Sequence, residues 1–243
     1  MLTLQRTDDT YIVYQNECRI GSLRLYDNPH HMHNCYVKLK LDELDTEISA
    51  ELFKELRKIA GRPLQFMVDS DDAELIAFLL SGGFVCRRKC YEVEAGKVDY
   101  IGGQVDAPLE YCRVGEPDYE AACRMLFEHY KETHKSVNPW TDDFETFCGE
   151  LPTDVIYSKQ SGKIVSLAFV EENEIAYVCG ADEKCFTEFA RSLVCAMLEK
   201  YETICFESDD CDWAAMLLKS LFKNQEETSY DTYIYDNEGA ISL

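Results

Sequence analysis

The sequence contains an internal repeat, which constrains the fold more than any other feature. Residues 69–84, DSDDAELIAFLLSGGF, align without a gap with residues 207–222, ESDDCDWAAMLLKSLF, at an offset of 207 − 69 = 138. Residues 19–25, RIGSLRL, match residues 163–169, KIVSLAF, in the same order along the chain. Two matches in one order indicate a duplication, and so long a period predicts two domains of one design rather than a solenoid.

Alternation and helical spacing predict the same order of elements in both halves of the chain. In the first half, three strands are followed by a helix, a strand, a helix and a strand. The second half repeats this order from residue 154, and a strand at 110–114 and two helices precede it. The segment 96–109 contains a Gly-Gly pair and has no apolar periodicity. We therefore predict a first domain at 1–95, a linker at 96–109 and a second domain at 110–243.

The charge of the chain excludes several classes of function. It has 46 acidic and 24 basic residues, and a net charge of −22. Nucleic acids and anionic membranes would be repelled, whereas small cationic molecules or basic peptides are favoured as partners. A solvated acidic surface explains the same charge without any partner. Because no apolar run could span a bilayer and the first residues are too polar for a signal peptide, we expect a cytoplasmic protein.

The twelve cysteines are scattered over apolar positions and contain no CxxC pair. We expect reduced thiols that pack as small hydrophobic groups, with no disulfide and no metal. The segment His30-His31-Met32-His33 before Cys35 is the one metal-like cluster in the sequence. It lies in a predicted turn and lacks a second pair of ligands at fixed spacing, so we interpret it as a polar loop.

The order of elements resembles the GNAT N-acetyltransferase superfamily, and the tandem arrangement resembles its two-domain members. The resemblance is carried by residues 175–201 and 207–222, with 35–60 and 69–84 as weaker copies. It implies an α/β (α+β) fold of two GNAT-like domains, each a mixed, mostly antiparallel twisted sheet flanked by helices. In the first domain the opening strand and two helices of the family are missing. The resemblance also implies transfer of an acetyl group from acetyl-CoA to a primary amine of a small or cationic acceptor.

The resemblance further implies a cofactor site in the second half. In the family, a loop of pattern Gln/Arg-x-x-Gly-x-Gly/Ala holds the pyrophosphate with backbone N–H groups at a helix N-terminus. This pattern falls on 185–190, where only Ala190 matches and Glu188 replaces a glycine, and on 45–50 in the first half. A plain helix start without a ligand is the alternative. The implied acetyl-CoA contacts are Val178, Cys179, Gly180, Phe189, Ala190, Arg191 and Asp210.

Three residues near the fourth strand of the second half are candidates for catalysis. Glu172 and Glu174 are candidate general bases, and Tyr177 is a candidate proton donor. Their alternatives are a charged turn and a packed aromatic side chain. The family's general acid, a tyrosine of the last helix, corresponds to Leu217 here. A second function therefore stays open, namely a non-catalytic GNAT-like binding or interaction module. We also expect Asp71-Asp72 and Asp209-Asp210 to cap the helices that follow them.

Overall fold

The computed structural model describes residues 1–223, 225 and 227–236, which form two compact units. Unit 1 comprises residues 1–89, 136–141 and 229–236, and unit 2 comprises residues 90–135 and 142–228. In the described part of the chain, none of the helices is both long enough and apolar enough to cross a membrane.

The strands and helices alternate as a mixed α/β chain. The strands are β1 (Leu2–Thr7), β2 (Thr10–Gln15), β3 (Cys18–Tyr26), β4 (Cys35–Leu41), β5 (Leu64–Asp69), β6 (Val85–Gly96), β7 (Glu110–Arg113), β8 (Asp154–Gln160), β9 (Lys163–Glu171), β10 (Glu174–Gly180), β11 (Thr203–Asp209) and β12 (Tyr230–Tyr235). The helices are α1 (Thr46–Ala60), α2 (Ala73–Ser81), α3 (Tyr119–His134), α4 (Phe144–Gly149), α5 (Glu183–Lys200) and α6 (Trp213–Lys219). The predicted order of elements is confirmed in both halves. The expectation that the first half lacks the opening strand is wrong, because β1 is that strand.

The two units have the same sheet order. In unit 1, β1 to β4 are antiparallel neighbours in chain order, β4 is parallel to β5, and β5 is antiparallel to β12. In unit 2, β7 to β10 are antiparallel neighbours in chain order, β10 is parallel to β11, and β11 is antiparallel to β6. The repeated segments therefore occupy equivalent places, since each begins at the end of the parallel strand and contains the next helix.

The compact units differ from the predicted domains because the last strand of each half pairs with a strand of the other half. Residues 90–96 of β6 pair with β11 and belong to unit 2. Residues 230–235, which are the last strand of the second half, pair with β5 in unit 1. The segment 136–141 also belongs to unit 1. Strand pairing over long sequence separations thus sets the boundaries, which composition alone could not reveal.

Side-chain caps fix several helix boundaries. Asp72 accepts a hydrogen bond from the N–H of Leu75 at 3.0 Å, so its predicted role at the start of α2 is confirmed. The matching prediction for Asp209-Asp210 is wrong, because the cap of α6 is Asp212, which accepts from the N–H of Ala214 at 2.9 Å. The connection from β11 to α6 leaves Asp209 outside the cap.

Each unit has its own apolar core. In unit 1, four phenylalanine rings pack edge-on or tilted, with Phe53 at 4.7 Å from Phe84 and 5.4 Å from Phe78. In unit 2, α5 packs against the sheet with fully buried side chains that include Phe186 and Leu193. Burying a large apolar side chain contributes on the order of 1.5–3 kcal/mol, so these faces hold each helix on its sheet.

The histidine-rich segment is a loop of unit 1, as expected. The ring of His30 stacks on that of Trp140, with centroids 4.7 Å apart. A ring nitrogen of His31, Nδ1, lies 3.3 Å from the carbonyl oxygen of Pro139. These two rings therefore pack against the segment 136–141 of the same unit.

Candidate functional site

A cleft opens in unit 2 between the carboxyl-terminal parts of β10 and β11. The two parallel strands pair only at Glu174 and Cys205, at the start of β10. The register of β10 on β9 then shifts between Ile175 and Tyr177, which marks a bulge. A bulge bends its strand and disrupts local pairing, so β10 diverges from β11 beyond this point. We call this opening the β10–β11 cleft.

A cavity of about 70 Å³ lies in the β10–β11 cleft, bounded by side chains of β10, β11, α3 and α6. Its wall combines apolar side chains with three carboxylates, two imidazoles and two phenols. The polar members are His129, Tyr130, His134, Tyr177, Glu207, Asp209 and Asp212. Carboxylates and imidazoles gathered at the carboxyl ends of parallel strands are typical of binding and catalytic sites in α/β proteins.

His129 and Asp212 form the first pair of this wall. The Nε2 atom of His129 lies 2.9 Å and 3.0 Å from the two carboxylate oxygens of Asp212. Because both atoms facing Nε2 are acceptors, Nε2 carries a proton and donates. Asp212 also caps α6, so one carboxylate fixes both the start of this helix and the orientation of the imidazole.

His134 and Asp209 form the second pair. The Nε2 atom of His134 lies 3.0 Å from Oδ2 of Asp209, and Nδ1 lies 2.9 Å from the hydroxyl of Thr133. The imidazole stacks on the ring of Tyr130, with centroids 3.9 Å apart. The histidine is only 3% exposed. Contacts on both nitrogens and on one ring face therefore hold it in a single orientation.

Tyr177 is one of two tyrosines that line this cavity, and 36% of its surface is exposed. Burial raises the pKa of Tyr177, and the carboxylates of Glu207 and Glu174 raise it further. The hydroxyl therefore stays protonated at neutral pH, where it can donate a hydrogen bond or a proton.

No protein-family model matches the sequence, and no curated protein matches it either. Solved structures do match. A GCN5-related N-acetyltransferase from Sphaerobacter thermophilus is similar with a TM-score of 0.56 at 9% identity, over 97% of this chain and 82% of that chain. The chain has the GNAT fold. A GCN5-related N-acetyltransferase from Kribbella flavida gives a TM-score of 0.50 at 11% identity, over 98% of this chain and 91% of that chain.

A GNAT-family acetyltransferase from Colwellia psychrerythraea gives a TM-score of 0.50 at 9% identity, over 93% of this chain and 85% of that chain. At such identities the likeness concerns the fold. The fold that the element order led us to expect is confirmed. Function has to be argued from the residues that this GNAT fold brings together.

The GNAT fold does not bring the three candidate catalytic residues together. Glu172 lies in the turn before β10 and lines a cavity of about 630 Å³ beside Tyr111. Glu174 lines a different cavity of about 800 Å³ beside Glu92. Only Tyr177 lines the β10–β11 cleft.

The candidate acetyl-CoA contacts of β10 have different environments. Val178 lines the β10–β11 cleft. Cys179 is fully buried, and burial raises the pKa of its thiol well above the usual range, so it is not a nucleophile at neutral pH. At Gly180 an added Cβ would lie 2.7 Å from Cβ of Phe186, so the absence of a side chain lets α5 approach the strand.

The pattern laid on residues 185–190 falls inside a helix rather than on a loop. Helix α5 begins at Glu183, directly after its cap Asp182, so Phe189 and Ala190 lie in its second turn. Both are buried, with 1% and 0% exposed. Arg191 follows them and is half-buried, and Asp210 is exposed on the β11–α6 connection.

The start of α5 does not fit a pyrophosphate. The carboxylate of Asp182 accepts from the N–H of Cys185 at 2.9 Å. Hydrogen bonds from Cys185 first of all, and from the N–H of Lys184, lower the pKa of Asp182. The N–H groups that would face an anion are thus already satisfied by a negative side chain. In unit 1, Asp45 occupies the start of α1 in the same way.

Sequence reasoning missed the histidine–carboxylate pairs. The partners are 83 and 75 positions apart in the chain, which no local pattern reports. One signal was available in the sequence. Asp209 and Asp212 lie at and just after the end of a strand whose carboxyl end borders the expected cofactor cleft. The helices predicted before residue 154 contain His129 and His134, so a search for histidines in them would have found both.

Proposed function

We propose that unit 2 is an N-acyltransferase of the GNAT type that acylates a primary amine in the β10–β11 cleft. The observation that carries the proposal is the opening of parallel strands after a bulge into a cavity lined by three carboxylates and Tyr177. The N-acetyltransferases with the same fold support the reaction class. Because the start of α5 does not fit a pyrophosphate, we assign residues only to the acceptor.

The acceptor would enter as an ammonium group. Glu207, Asp209 and Asp212 put negative charge on one wall of the cavity, and at about 4 Å a unit charge pair is worth roughly 4 kcal/mol near a protein surface. The net charge of −22 adds a long-range attraction for cations. The small cavity has room for an amino group and its first carbon atoms.

Proton transfer follows from the environment of each group. An ammonium must lose a proton before it attacks a thioester carbonyl. Glu207 is the lining carboxylate that holds no histidine, so it is the group that takes this proton. Tyr177 keeps its own proton at neutral pH and would donate it to the thiolate that leaves when the C–N bond forms and the C–S bond of the thioester breaks.

The test is acyl transfer from radiolabelled acetyl-CoA to a panel of diamines and lysine peptides. The parent chain should form labelled product, and Tyr177→Phe should lower the rate by about 10²-fold or more, which is the usual contribution of a general acid or base. Tyr111→Phe is the matched control, because Tyr111 is exposed and lines another cavity. Absence of product with every amine, or equal rates for both variants, would contradict the proposal.

A second candidate function is a non-catalytic binding module. The observation that favours it is the carboxylate at the start of both α5 and α1, together with Leu217 at the position of the family's acid. The two candidates differ in a thermal-stability titration with acetyl-CoA. A ligand at 100 times its Kd adds about 2.7 kcal/mol to the free energy of unfolding, whereas a module that does not bind it shows no change.

A further inference from the structure

We propose that His134, Asp209 and Cys211 form a site in unit 2 for a divalent transition metal of the zinc class. One ligand atom of each residue lies within 4.8 Å of the other two, and among the described residues this is the one such group. The site shares Asp209 with the wall proposed for the acceptor, but the binding of an ion there can be measured without acyl transfer. It stands against the expectation from the sequence that the chain holds no metal.

The hydrogen bonds of Thr133 permit the tautomer of His134 that a metal ion requires. The hydroxyl of Thr133 lies 3.0 Å from the carbonyl oxygen of His129 and 3.3 Å from that of Tyr130, so its one hydrogen points to the backbone. With its hydrogen on the backbone, the hydroxyl presents a lone pair to Nδ1 of His134 at 2.9 Å, so Nδ1 can carry the proton when Nε2 binds an ion.

This tautomer leaves a lone pair on Nε2 of the neutral ring. That nitrogen faces Oδ2 of Asp209 at 3.0 Å, and without a metal ion a proton on Nε2 joins the two. A cation between them, either a proton or a metal ion, satisfies both. Histidines that bind metals have this arrangement, with one ring nitrogen donating to a nearby oxygen and the other aimed at the ion.

The donor set selects the class of metal. Imidazole nitrogen, thiolate sulfur and carboxylate oxygen together suit zinc and cobalt(II), at about 2.0 Å for nitrogen and about 2.3 Å for sulfur. A neutral His134 with the carboxylate of Asp209 and the thiolate of Cys211 balances a charge of two. Three protein ligands leave a fourth position for water or for another ligand.

The exposure of the three residues and the position of Cys211 in the chain also suit a metal site. His134 is buried, whereas Asp209 and Cys211 are half-buried, so an ion reaches them from solvent. Cys211 lies on the connection between β11 and α6, outside both elements. A change in the rotamer of its side chain can therefore bring Sγ to an ion without moving a strand or a helix.

The experiment uses cobalt(II) as the probe, added to the full chain after treatment with a chelator. We expect one cobalt per chain and a thiolate-to-cobalt charge-transfer band. Cys211→Ser should abolish the band and weaken binding at least 100-fold, and Thr133→Val should weaken binding about 10- to 100-fold. Cys185→Ser is the control, a half-buried cysteine of unit 2 outside the group, and should behave as the parent does.

A second measurement needs no variant. Zinc should protect Cys211 of the parent chain from iodoacetamide, as read by peptide mass spectrometry, and should leave Cys185 as reactive as before. A chain that binds no cobalt, a band that survives in Cys211→Ser, or equal alkylation of Cys211 with and without zinc would each overturn the proposal. None of these readouts depends on acyl transfer, so the two proposals fail separately.

Discussion

Asp212 binds His129 through both carboxylate oxygens, at 2.9 Å and 3.0 Å from Nε2, and one of these oxygens also accepts from the N–H of Ala214 at the start of α6. One buried side chain thus joins α3 to α6 across the β10–β11 cleft. Both residues are largely buried, with 10% and 12% of their side chains exposed. The geometry of the cleft depends on this link more than on any local preference.

The link predicts a large loss of stability for Asp212→Ala. Removal of the cap costs about 1 kcal/mol, and loss of a hydrogen bond to a charged group costs about 1.5–3 kcal/mol more. Urea unfolding of the full chain measures the total loss in the free energy of unfolding. Asp143→Ala is the matched control, because Asp143 caps α4 at 2.8 Å from the N–H of Thr146 without a histidine partner. Equal losses for both variants would show that the pairing with His129 stabilises nothing.

The charge on Glu207 should be visible in the titration of Tyr177. Since burial and this carboxylate both raise the pKa of the phenol, Glu207→Gln should lower that pKa while leaving it above the usual value. Carbon-13 NMR of labelled tyrosines, assigned with Tyr177→Phe, reads the shift. Glu128→Gln, on the exposed face of α3, should change nothing. An unchanged pKa of Tyr177 in Glu207→Gln would show that Glu207 does not act on the cleft.

Burial of Tyr119 predicts a loss of stability in alkali. Its pKa is raised to about 12, by burial first and then by Cys123, and its hydroxyl donates to the carbonyl oxygen of Pro152 at 2.9 Å. The unfolded chain loses this proton near pH 10, so the contribution is complete below pH 10 and is lost as the pH rises toward 12. In Tyr119→Phe the free energy of unfolding should fall less steeply over that range. An identical slope would contradict the assignment.

The close approach of α5 to β10 predicts that Gly180→Ala is destabilising. The new Cβ would meet that of Phe186 at 2.7 Å, and overpacking of this kind costs about 1–3 kcal/mol. Gly149→Ala is the control, since no atom lies within 4 Å of the position of its Cβ. Thermal unfolding of both variants checks the prediction, and a stable Gly180→Ala would show that α5 can move away from the strand.

Much of the fold could be predicted because its elements are determined by residues that are close together in the sequence. The alternation of CYVKLKL is typical of a strand and the apolar spacing of 119–134 is typical of a helix, and in the structure these segments are β4 and α3. Asp72 correctly marked the start of α2. These signals depend on a few neighbouring residues, and strand and helix periodicities report them directly.

The exchanged strands and the site could not be predicted in this way. Nothing in the residues of β12 says that it pairs with β5, which lies more than half the chain away. His129 and Asp212 likewise meet only in the folded unit. The cofactor residues taken from the resemblance, such as Ala190, depended on an alignment that placed a loop where α5 already continues. The chain keeps the GNAT fold with a helix at this place, but the start of that helix does not form a phosphate site.

The most direct test of the account is the rate constant kcat/KM for acyl transfer to a primary amine, measured for the parent chain, Glu207→Gln and Glu128→Gln. Because Glu207 is proposed to attract the ammonium group and to take its proton, Glu207→Gln should lower kcat/KM by about 10²-fold or more, with most of the loss in kcat. Glu128→Gln should match the parent chain. A parent chain that transfers no acyl group, or a Glu207→Gln variant as active as the parent, would contradict the assignment of the β10–β11 cleft as the active site.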